Sequence, residues 1–264
     1  MASPSTARID AAAHALPRLT VIGWARVIAR LLTALAWLFT CVPLHYLTQF
    51  LMRGSPWPKY FLGGTARIFG ARVRMTGQMP RRDMFIIANH VSWLDILVLA
   101  GVSGTAYVAK AELRASPLLR WLADMNRTIY VARHERMNVG NQVAMVREAL
   151  AETRAVTVFP EATTSDGQSL LPFKTSLLAV LEPPPPGISI QPVYIDYGAE
   201  ASAIAWVGEE PGLHNVLHIL ARRRPIVTVI HFLEPFAGDG IGGRKAIASE
   251  SRRRMEEVMH RPRH

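Results

Sequence analysis

A hydrophobic run that ends in a polar pair is the most informative stretch of the chain. Residues 84–95 read Met-Phe-Ile-Ile-Ala-Asn-His-Val-Ser-Trp-Leu-Asp, so Asn89 and His90 follow a predicted strand. Five residues on a continuous helix turn about 500°, which would hold His90 and Asp95 apart. If His90 lies in a loop before the helix and Asp95 in its first turn, the carboxylate can contact the imidazole. Such a contact fixes the ring tautomer and makes the histidine a general base for an alcohol.

The same residues also have a purely structural interpretation. Ser92-Trp-Leu-Asp95 fits an S-x-x-D variant of the helix capping box, and a carboxylate in the first turn is favourable to the helix dipole. His90 could then be an ordinary hydrogen-bonded loop histidine. From these residues alone, both interpretations stay open.

A second stretch combines an apolar run with a polar turn. Residues 155–167 read Ala-Val-Thr-Val-Phe-Pro-Glu-Ala-Thr-Thr-Ser-Asp-Gly, so an acid, three hydroxyl groups and a glycine follow a predicted strand. Side chains just beyond a strand end in an α/β fold lie where ligands usually bind. The alternative is an ordinary turn whose hydroxyl groups bond to the local backbone.

Four segments, taken in order, resemble the motifs of the lysophospholipid acyltransferase family, which includes the 1-acylglycerol-3-phosphate acyltransferases. The N-H-x-x-x-x-D motif matches Asn89, His90 and Asp95, and the arginine-containing second motif resembles residues 126–133. The Pro-Val strand motif resembles residues 188–193. The F-P-E-G-T-R-S motif is matched in part by Phe159, Pro160, Glu161, Thr163 and Ser165.

The resemblance covers residues 60–235 and implies an acyl-transfer site. His90 would deprotonate the acceptor hydroxyl and Asp95 would orient His90, with no metal or other cofactor. The donor would be the acyl thioester of acyl carrier protein or CoA, and the acceptor would be a lysolipid. The residues implied in substrate binding are Glu161, Thr163, Thr164, Ser165, Arg133 and Lys174.

Two departures from the family pattern concern the acceptor. The motif-three glycine is Ala162 here, and the arginine that would hold a glycerophosphate is Thr164. Threonine cannot make a charge-assisted contact to phosphate. Either Arg127, Arg133 or Lys174 replaces it, or the acceptor is not a glycerophosphate. Because the stretch resembles bacterial lyso-ornithine lipid O-acyltransferases, we expect lyso-ornithine lipid as the acceptor, with lysophosphatidic acid as the alternative.

The elements that position these residues alternate between strand and helix patterns. This alternation predicts an α/β domain with a mixed, mainly parallel sheet covered by helices. The predicted strands are 72–76, 84–88, 105–109, 128–131, 156–159, 189–195 and 226–232. The predicted helices are 92–99, 117–124, 137–152, 174–181 and 244–259, and all these elements follow a Gly/Pro-rich stretch at 54–64.

Hydrophobicity is concentrated near the N-terminus. Residues 31–52 carry no charge, and basic residues stand on both sides of them. At about 1.5 Å per residue this run could cross a hydrocarbon core of roughly 30 Å, although Pro43 and later polar residues weaken it as a span. Because basic residues flank both ends, an interfacial helix or hairpin with both ends on the cytoplasmic face fits the charges at least as well as a clean span. A buried core helix and a cleaved signal peptide are the alternatives. The predicted division is a leader at 1–18, a membrane-associating helical segment at 19–58 and an acyltransferase domain at 59–264.

Composition and charge limit the partners. The 264 residues include 30 Lys and Arg against 20 Asp and Glu, for a net charge of +10, and 50% are hydrophobic. Hydrophobicity excludes a disordered chain, and the single cysteine, Cys41, excludes a disulfide scaffold. We expect an anionic membrane surface as the partner and no nucleic acid, because neither a zinc-finger pattern nor stacking aromatics accompany the basic residues.

The expected location is the bacterial inner membrane, with the active site on the cytoplasmic side. A Ser-His-Asp lipase is excluded, since no G-x-S-x-G elbow is present. A non-catalytic basic membrane-binding module is the alternative to an enzyme.

Overall fold

One mixed sheet organises the described part of the protein. The computed structural model describes residues 17–52, 54–80, 83–110, 115–131, 148, 155–182, 187–238 and 241–261. The strands are β1 (Ala71–Gly77), β2 (Met84–Ala88), β3 (Ala106–Lys110), β4 (Ile129–Val131), β5 (Ala155–Val158), β6 (Ser189–Asp196), β7 (Ile226–Phe232) and β8 (Phe236–Ala237). The α-helices are α1 (Val21–Met52), α2 (Trp57–Ile68), α3 (Leu94–Ser103), α4 (Pro117–Met125), α5 (Ala201–Ile204), α6 (Gly212–Ala221) and α7 (Arg244–Met259). Two 3-10 helices cover Thr175–Leu181 and Gly198–Glu200.

The strands follow the order β1-β7-β6-β2-β5-β3-β4, and β8 pairs with β6. From β6 through β2, β5 and β3 to β4 every pair is parallel, and β1 is parallel to β7. The antiparallel pairs are β6 with β7 and β6 with β8. The predicted mixed, mainly parallel sheet is therefore confirmed.

The central strand β2 is apolar throughout because helices cover both faces of the sheet. All five of its residues are buried, as are all four of β5. Ile86 and Ala88 point into the core beneath α3, whereas Phe85 and Ile87 point into the core beneath α7 and the 3-10 helix. This burial fixes the point at which β2 ends and the polar pair begins.

Some elements differ from the prediction, and one predicted helix lies outside the described residues. The helix predicted at 174–181 is a 3-10 helix, and neither α2, which begins within the Gly/Pro-rich stretch at 54–64, nor α6 is predicted. Gly63 and Gly101 let α2 and α3 pack closely, since a Cβ on Gly101 would lie 2.4 Å from the Gly63 Cα. The predicted helix at 137–152 falls on residues that, apart from 148, are not described.

Helix α1 has one face docked on the domain and one face exposed. Arg26 and Arg30 donate to the last carbonyls of α6, where cations complement the helix dipole. The other face presents large apolar side chains, including Ile28, Leu32 and Phe39. Helix α1 is long and apolar enough to cross a membrane, and only 11% of its most apolar stretch is buried. A buried core helix is thus excluded for this segment.

Candidate active site

Asn89 fixes the end of β2. Its side-chain Oδ1 accepts the Ile195 N–H at 2.7 Å, and its Nδ2 donates to the Ile195 carbonyl at 3.1 Å. Both groups belong to the neighbouring strand β6, so the buried amide extends the β2–β6 pairing by one position. His90 consequently leaves the sheet at a defined place.

His90 and Asp95 are brought together as the loop placement predicts. The His90 Nδ1 lies 2.8 Å from the Asp95 Oδ2, with His90 before α3 and Asp95 in its first turn. Since Asp95 accepts a hydrogen bond there, the neutral ring carries its proton on Nδ1 and presents Nε2 as the base. No hydrogen bond to Nε2 is formed by any residue in the described ranges.

Asp95 orients the histidine and also caps the helix. The carboxylate is fully buried, and its Oδ2 also accepts the N–H groups of Val91 at 2.6 Å and Ser92 at 2.9 Å. Its Oδ1 accepts the Tyr197 hydroxyl at 2.6 Å. The bond from Ser92 is one half of the predicted capping box, so the structural and chemical interpretations describe one carboxylate with both roles.

Aromatic rings set the orientation of the imidazole. The His90 ring stacks on Phe159 with centroids 4.2 Å apart and an interplanar angle of 16°, and Phe159 in turn stacks on Tyr107 at 5.7 Å. The His90 side chain keeps 17% of its surface exposed. The ring is therefore rigidly held yet reachable, as a general base must be.

Glu161 lies beneath the His90 loop. Its Oε1 accepts the His90 N–H at 2.9 Å, and its Oε2 accepts the Leu171 N–H at 2.9 Å. Burial raises the pKa of Glu161 to about 7, although these hydrogen bonds and His90 oppose the rise. The family resemblance implies a substrate-binding role for Glu161. With 1% of the residue exposed and both oxygen atoms bonded to the backbone, its observed contacts position the loop.

The hydroxyl groups of the turn differ in their contacts. Ser165 is buried and binds the His90 carbonyl through its N–H at 2.7 Å and its hydroxyl at 3.1 Å. Thr164 donates its hydroxyl to the Trp206 carbonyl, whereas Thr163 is exposed. Ala162 has a φ of 61°, a left-handed conformation that glycine adopts without strain, which gives a physical reason for the glycine of the family pattern.

The predicted cations are spread out. Lys174 is exposed, and its backbone N–H donates to the Pro160 carbonyl at 2.8 Å, so it follows the turn that holds Glu161. Arg127 lies in the turn after α4 with a φ of 57°. Arg133 is outside the described residues. The structure therefore clusters His90, Asp95, Glu161 and Ser165, and leaves Thr163 and Lys174 at the surface.

Several residues of the site were not predicted. Tyr197 is 102 residues from Asp95 and carries no local motif, so only the β6 pairing brings it there. Burial, and then the nearby Asp95 carboxylate, raise the pKa of Tyr197 well above its usual value, which keeps its hydroxyl a donor. Trp206 and Leu171 take part through backbone groups, which leave no trace in side-chain type. No group of three or more His, Cys, Asp or Glu suited to a metal occurs in the parts of the chain described above.

Comparisons with known proteins place this geometry in a family. Residues 71–196 match the family model described as Acyltransferase. A lyso-ornithine lipid O-acyltransferase from Brucella abortus is 30% identical over 258 residues, covering 90% of this chain and 96% of the relative. A 1-acyl-sn-glycerol-3-phosphate acyltransferase from Neisseria meningitidis is 37% identical over 94 residues, covering 36% of this chain and 37% of that protein.

The fold has a counterpart among solved structures. The crystal structure of a 1-acyl-sn-glycerophosphate acyltransferase from Thermotoga maritima matches with a TM-score of 0.61 and 23% identity, over 90% of this chain and 100% of that one. At that identity the likeness concerns the fold alone. The relative that is matched almost end to end carries the assignment: the chain belongs to the lysophospholipid acyltransferase family and is an enzyme that transfers acyl groups.

Proposed function

We propose that the protein is a membrane-associated O-acyltransferase that moves a fatty acyl group from an acyl thioester to the hydroxyl of lyso-ornithine lipid. The observation that carries the proposal is the 2.8 Å contact between the His90 Nδ1 and the buried carboxylate of Asp95. This contact leaves Nε2, the other ring nitrogen, as the base. The family assignment removes the alternative of a non-catalytic binding module.

The reaction needs one base that acts twice. The His90 Nε2 takes the proton of the acceptor hydroxyl while the hydroxyl oxygen attacks the thioester carbonyl carbon. The C–S bond then breaks, and the thiolate that leaves takes the proton back from the imidazolium. Asp95 stabilises the imidazolium between these steps, and a base so placed accelerates the reaction by about 10²–10⁴.

The proposed acceptor lacks a phosphate. Thr164 stands where the family pattern has an arginine, and its hydroxyl is already bound by the Trp206 carbonyl. Neither feature supplies a cation for a glycerophosphate. The name of the Brucella abortus relative specifies lyso-ornithine lipid, and that similarity extends over 90% of this chain.

Lysophosphatidic acid is the second candidate acceptor. It is favoured by the 37% identity to the Neisseria meningitidis protein, which bears that activity in its name, over 94 residues. In this case Arg127, Arg133 or Lys174 would bind the phosphate. The proposed donor is acyl carrier protein or CoA carrying the acyl group, with no cofactor besides.

The proposed location is the cytoplasmic face of the bacterial inner membrane, where both donors are available. Helix α1 lies against the domain along its length, through contacts with α6 and α2, and exposes the opposite apolar face. A helix with this division lies in the interfacial region more readily than it crosses the bilayer. We therefore place α1 in the interface.

The test is an acyl-transfer assay with purified membranes. Labelled acyl-CoA and acyl carrier protein are offered to lyso-ornithine lipid and to lysophosphatidic acid in parallel. The variants are His90→Ala, Asp95→Asn and the matched control His218→Ala, which removes an exposed histidine of α6. We expect product from lyso-ornithine lipid, a loss of about 10²-fold or more in the first two variants, and unchanged turnover in the control.

Product from lysophosphatidic acid alone would replace the proposed acceptor with the second candidate. Equal turnover of the wild type and His90→Ala on either acceptor would contradict the role of His90 as the base.

A further inference from the structure

A groove separate from the His90 site runs between α1, α2, α3 and β1. It has a volume of about 1030 Å³, and its wall is completed by residues before β7. His90, Asp95 and Glu161 do not line it. The groove is therefore a second concave surface, on the side of the domain where α1 is docked.

The groove is lined by cations. Five basic residues contribute to it: Arg30, Lys59, Arg67, Arg72 and Arg223. No Asp or Glu occurs among its lining residues in the described part of the chain. Arg67, Arg72 and Arg223 are exposed, and none of the three forms an ion pair with another described residue. Like charges that converge in this way repel one another until an anion neutralises them.

Some other arginines of the domain form ion pairs with glutamates. Arg222 pairs with Glu200 although it adjoins Arg223, and on α7 both Arg253 and Arg254 pair with Glu250. These cations are neutralised within the protein. Arg67, Arg72 and Arg223 have no carboxylate partner of this kind among the described residues, and they line one groove, which points to an external partner.

The floor of the groove is apolar. Ala66, Val73, Val98 and Val102 line it, and Trp37 of α1 and Tyr60 of α2 contribute aromatic rings. A free phosphate would use the cations and leave this surface unused. An amphiphile that carries a phosphate and an acyl chain would use both.

The position of the groove indicates that the amphiphile is a membrane lipid. One wall is α1, whose other face exposes Ile28, Leu32, Leu35 and Phe39. Membrane lipids would reach the groove from this side, with their phosphate groups at the level of the cations. We propose that the groove binds an anionic phospholipid, with the phosphate held by Arg67, Arg72 and Arg223 and an acyl chain along the apolar floor.

The test measures lipid binding to the full chain in neutral detergent. Dibrominated phosphatidylglycerol is titrated against dibrominated phosphatidylcholine of the same chain length. Trp37 is one of six tryptophans, so the part of the tryptophan quenching that is lost in Trp37→Phe reports binding in the groove that Trp37 lines. The test variant is Arg72→Gln/Arg223→Gln. The matched control is Arg74→Gln/Arg224→Gln, which removes two exposed arginines of the same strand and the same loop outside the groove.

We expect phosphatidylglycerol to bind the wild type more tightly than phosphatidylcholine. The test variant should lose about 10-fold in affinity for phosphatidylglycerol, and the control about 2-fold or less. Thermal midpoints are compared to show that all variants are folded, which the exposure of the four side chains leads us to expect.

Three results would overturn the proposal. An equal loss in both double variants would mean that net charge, rather than the groove, attracts the lipid. Equal binding of the two lipids to the wild type would remove the anion requirement. Displacement of the quencher by CoA or by inorganic phosphate at the same concentrations would assign the cations to a soluble phosphate ligand.

Discussion

Three consecutive backbone N–H groups hold the His90 loop. His90 donates to Glu161, and Val91 and Ser92 donate to Asp95. Two buried carboxylates thus satisfy a loop whose N–H groups would otherwise be unpaired in the core. The position of the imidazole depends on both acids, although only Asp95 touches the ring.

Glu161 should make stability depend on pH. Its pKa is about 7 in the folded protein, above its usual value of 4.5, so the folded state holds the proton more tightly. The corresponding stability is present below pH 4.5 and is lost as pH rises through 7, by about 3 kcal/mol. Glu161→Gln should abolish this loss, so that the free energy of unfolding falls less between pH 5 and pH 8 than in the wild type.

Chemical unfolding in detergent at the two pH values measures this difference. Glu209→Gln, which changes an exposed carboxylate, serves as the matched control. The same pH dependence in the wild type and in Glu161→Gln would show that another group is responsible.

The sequence predicts the reactive residues of the site better than it predicts the residues that hold them in place. The motif predicts His90 and Asp95 because their spacing is local. The contacts of Glu161 depend on Leu171 and His90, which lie 10 and 71 residues away, so an acid in a turn resembled a ligand-binding group. Side-chain type alone does not separate the two roles.

At the scale of elements, α7 supports the site from a distance. Arg252 donates to the carbonyls of Leu170 and Leu171 at 2.9 and 2.7 Å, and the Leu171 N–H is bound by Glu161. The C-terminal helix is thereby linked to the His90 loop through one short segment. This link makes Arg252 a positioning residue.

Arg252→Ala should loosen this segment. We expect a cost of about 1–2 kcal/mol in stability and a fall in kcat with little change in KM, because the base is displaced and no contact with substrate is removed. Arg253→Ala is the control, since Arg253 is exposed and pairs only with glutamates of its own helix among the described residues. Steady-state kinetics that find the two variants alike would contradict the link.

The close packing of α2 on α3 gives a second prediction at this scale. Gly101→Ala would place a Cβ 2.4 Å from the Gly63 Cα and 2.8 Å from its nitrogen. Because both atoms belong to backbone, the helices must separate, at a cost of about 1–3 kcal/mol. Gly54→Ala meets nothing within 4 Å and is the control. Thermal unfolding should give a lower midpoint for the first variant only, and equal midpoints would show that the helices adapt.

Elements with strong local patterns are predicted well from sequence. The strands β2 and β7 and the helix α7 have the predicted bounds, since apolar runs or helical periodicity mark them. Helix α2 has no such mark, because the glycines that allow its packing are also the residues typical of loops. Only the packing against α3 shows that this glycine-containing stretch is a helix and not a loop.

At the scale of the whole molecule, the exposed face of α1 should control membrane association. Leu32→Glu/Phe39→Glu places two charges on that face, where the side chains are 62% and 70% exposed. We expect vesicle partitioning to fall by about 100-fold without a change in the thermal midpoint, since no packed residue is altered. Leu213→Glu, at an exposed position of α6, is the control for added charge. Unchanged partitioning in a flotation assay would mean that another surface holds the membrane.

The sheet order also governs the order in which the protein can form during synthesis. Strand β1 has its partner strand in β7, and paired residues such as Thr76 and His231 are 155 positions apart. At about 5–20 residues per second, the ribosome needs roughly 8–30 s to supply that partner. Until then β1 has no strand beside it, and its free backbone groups could pair with another chain. The pairing of an early strand with a late one thus gives the growing chain a period in which misassembly is possible.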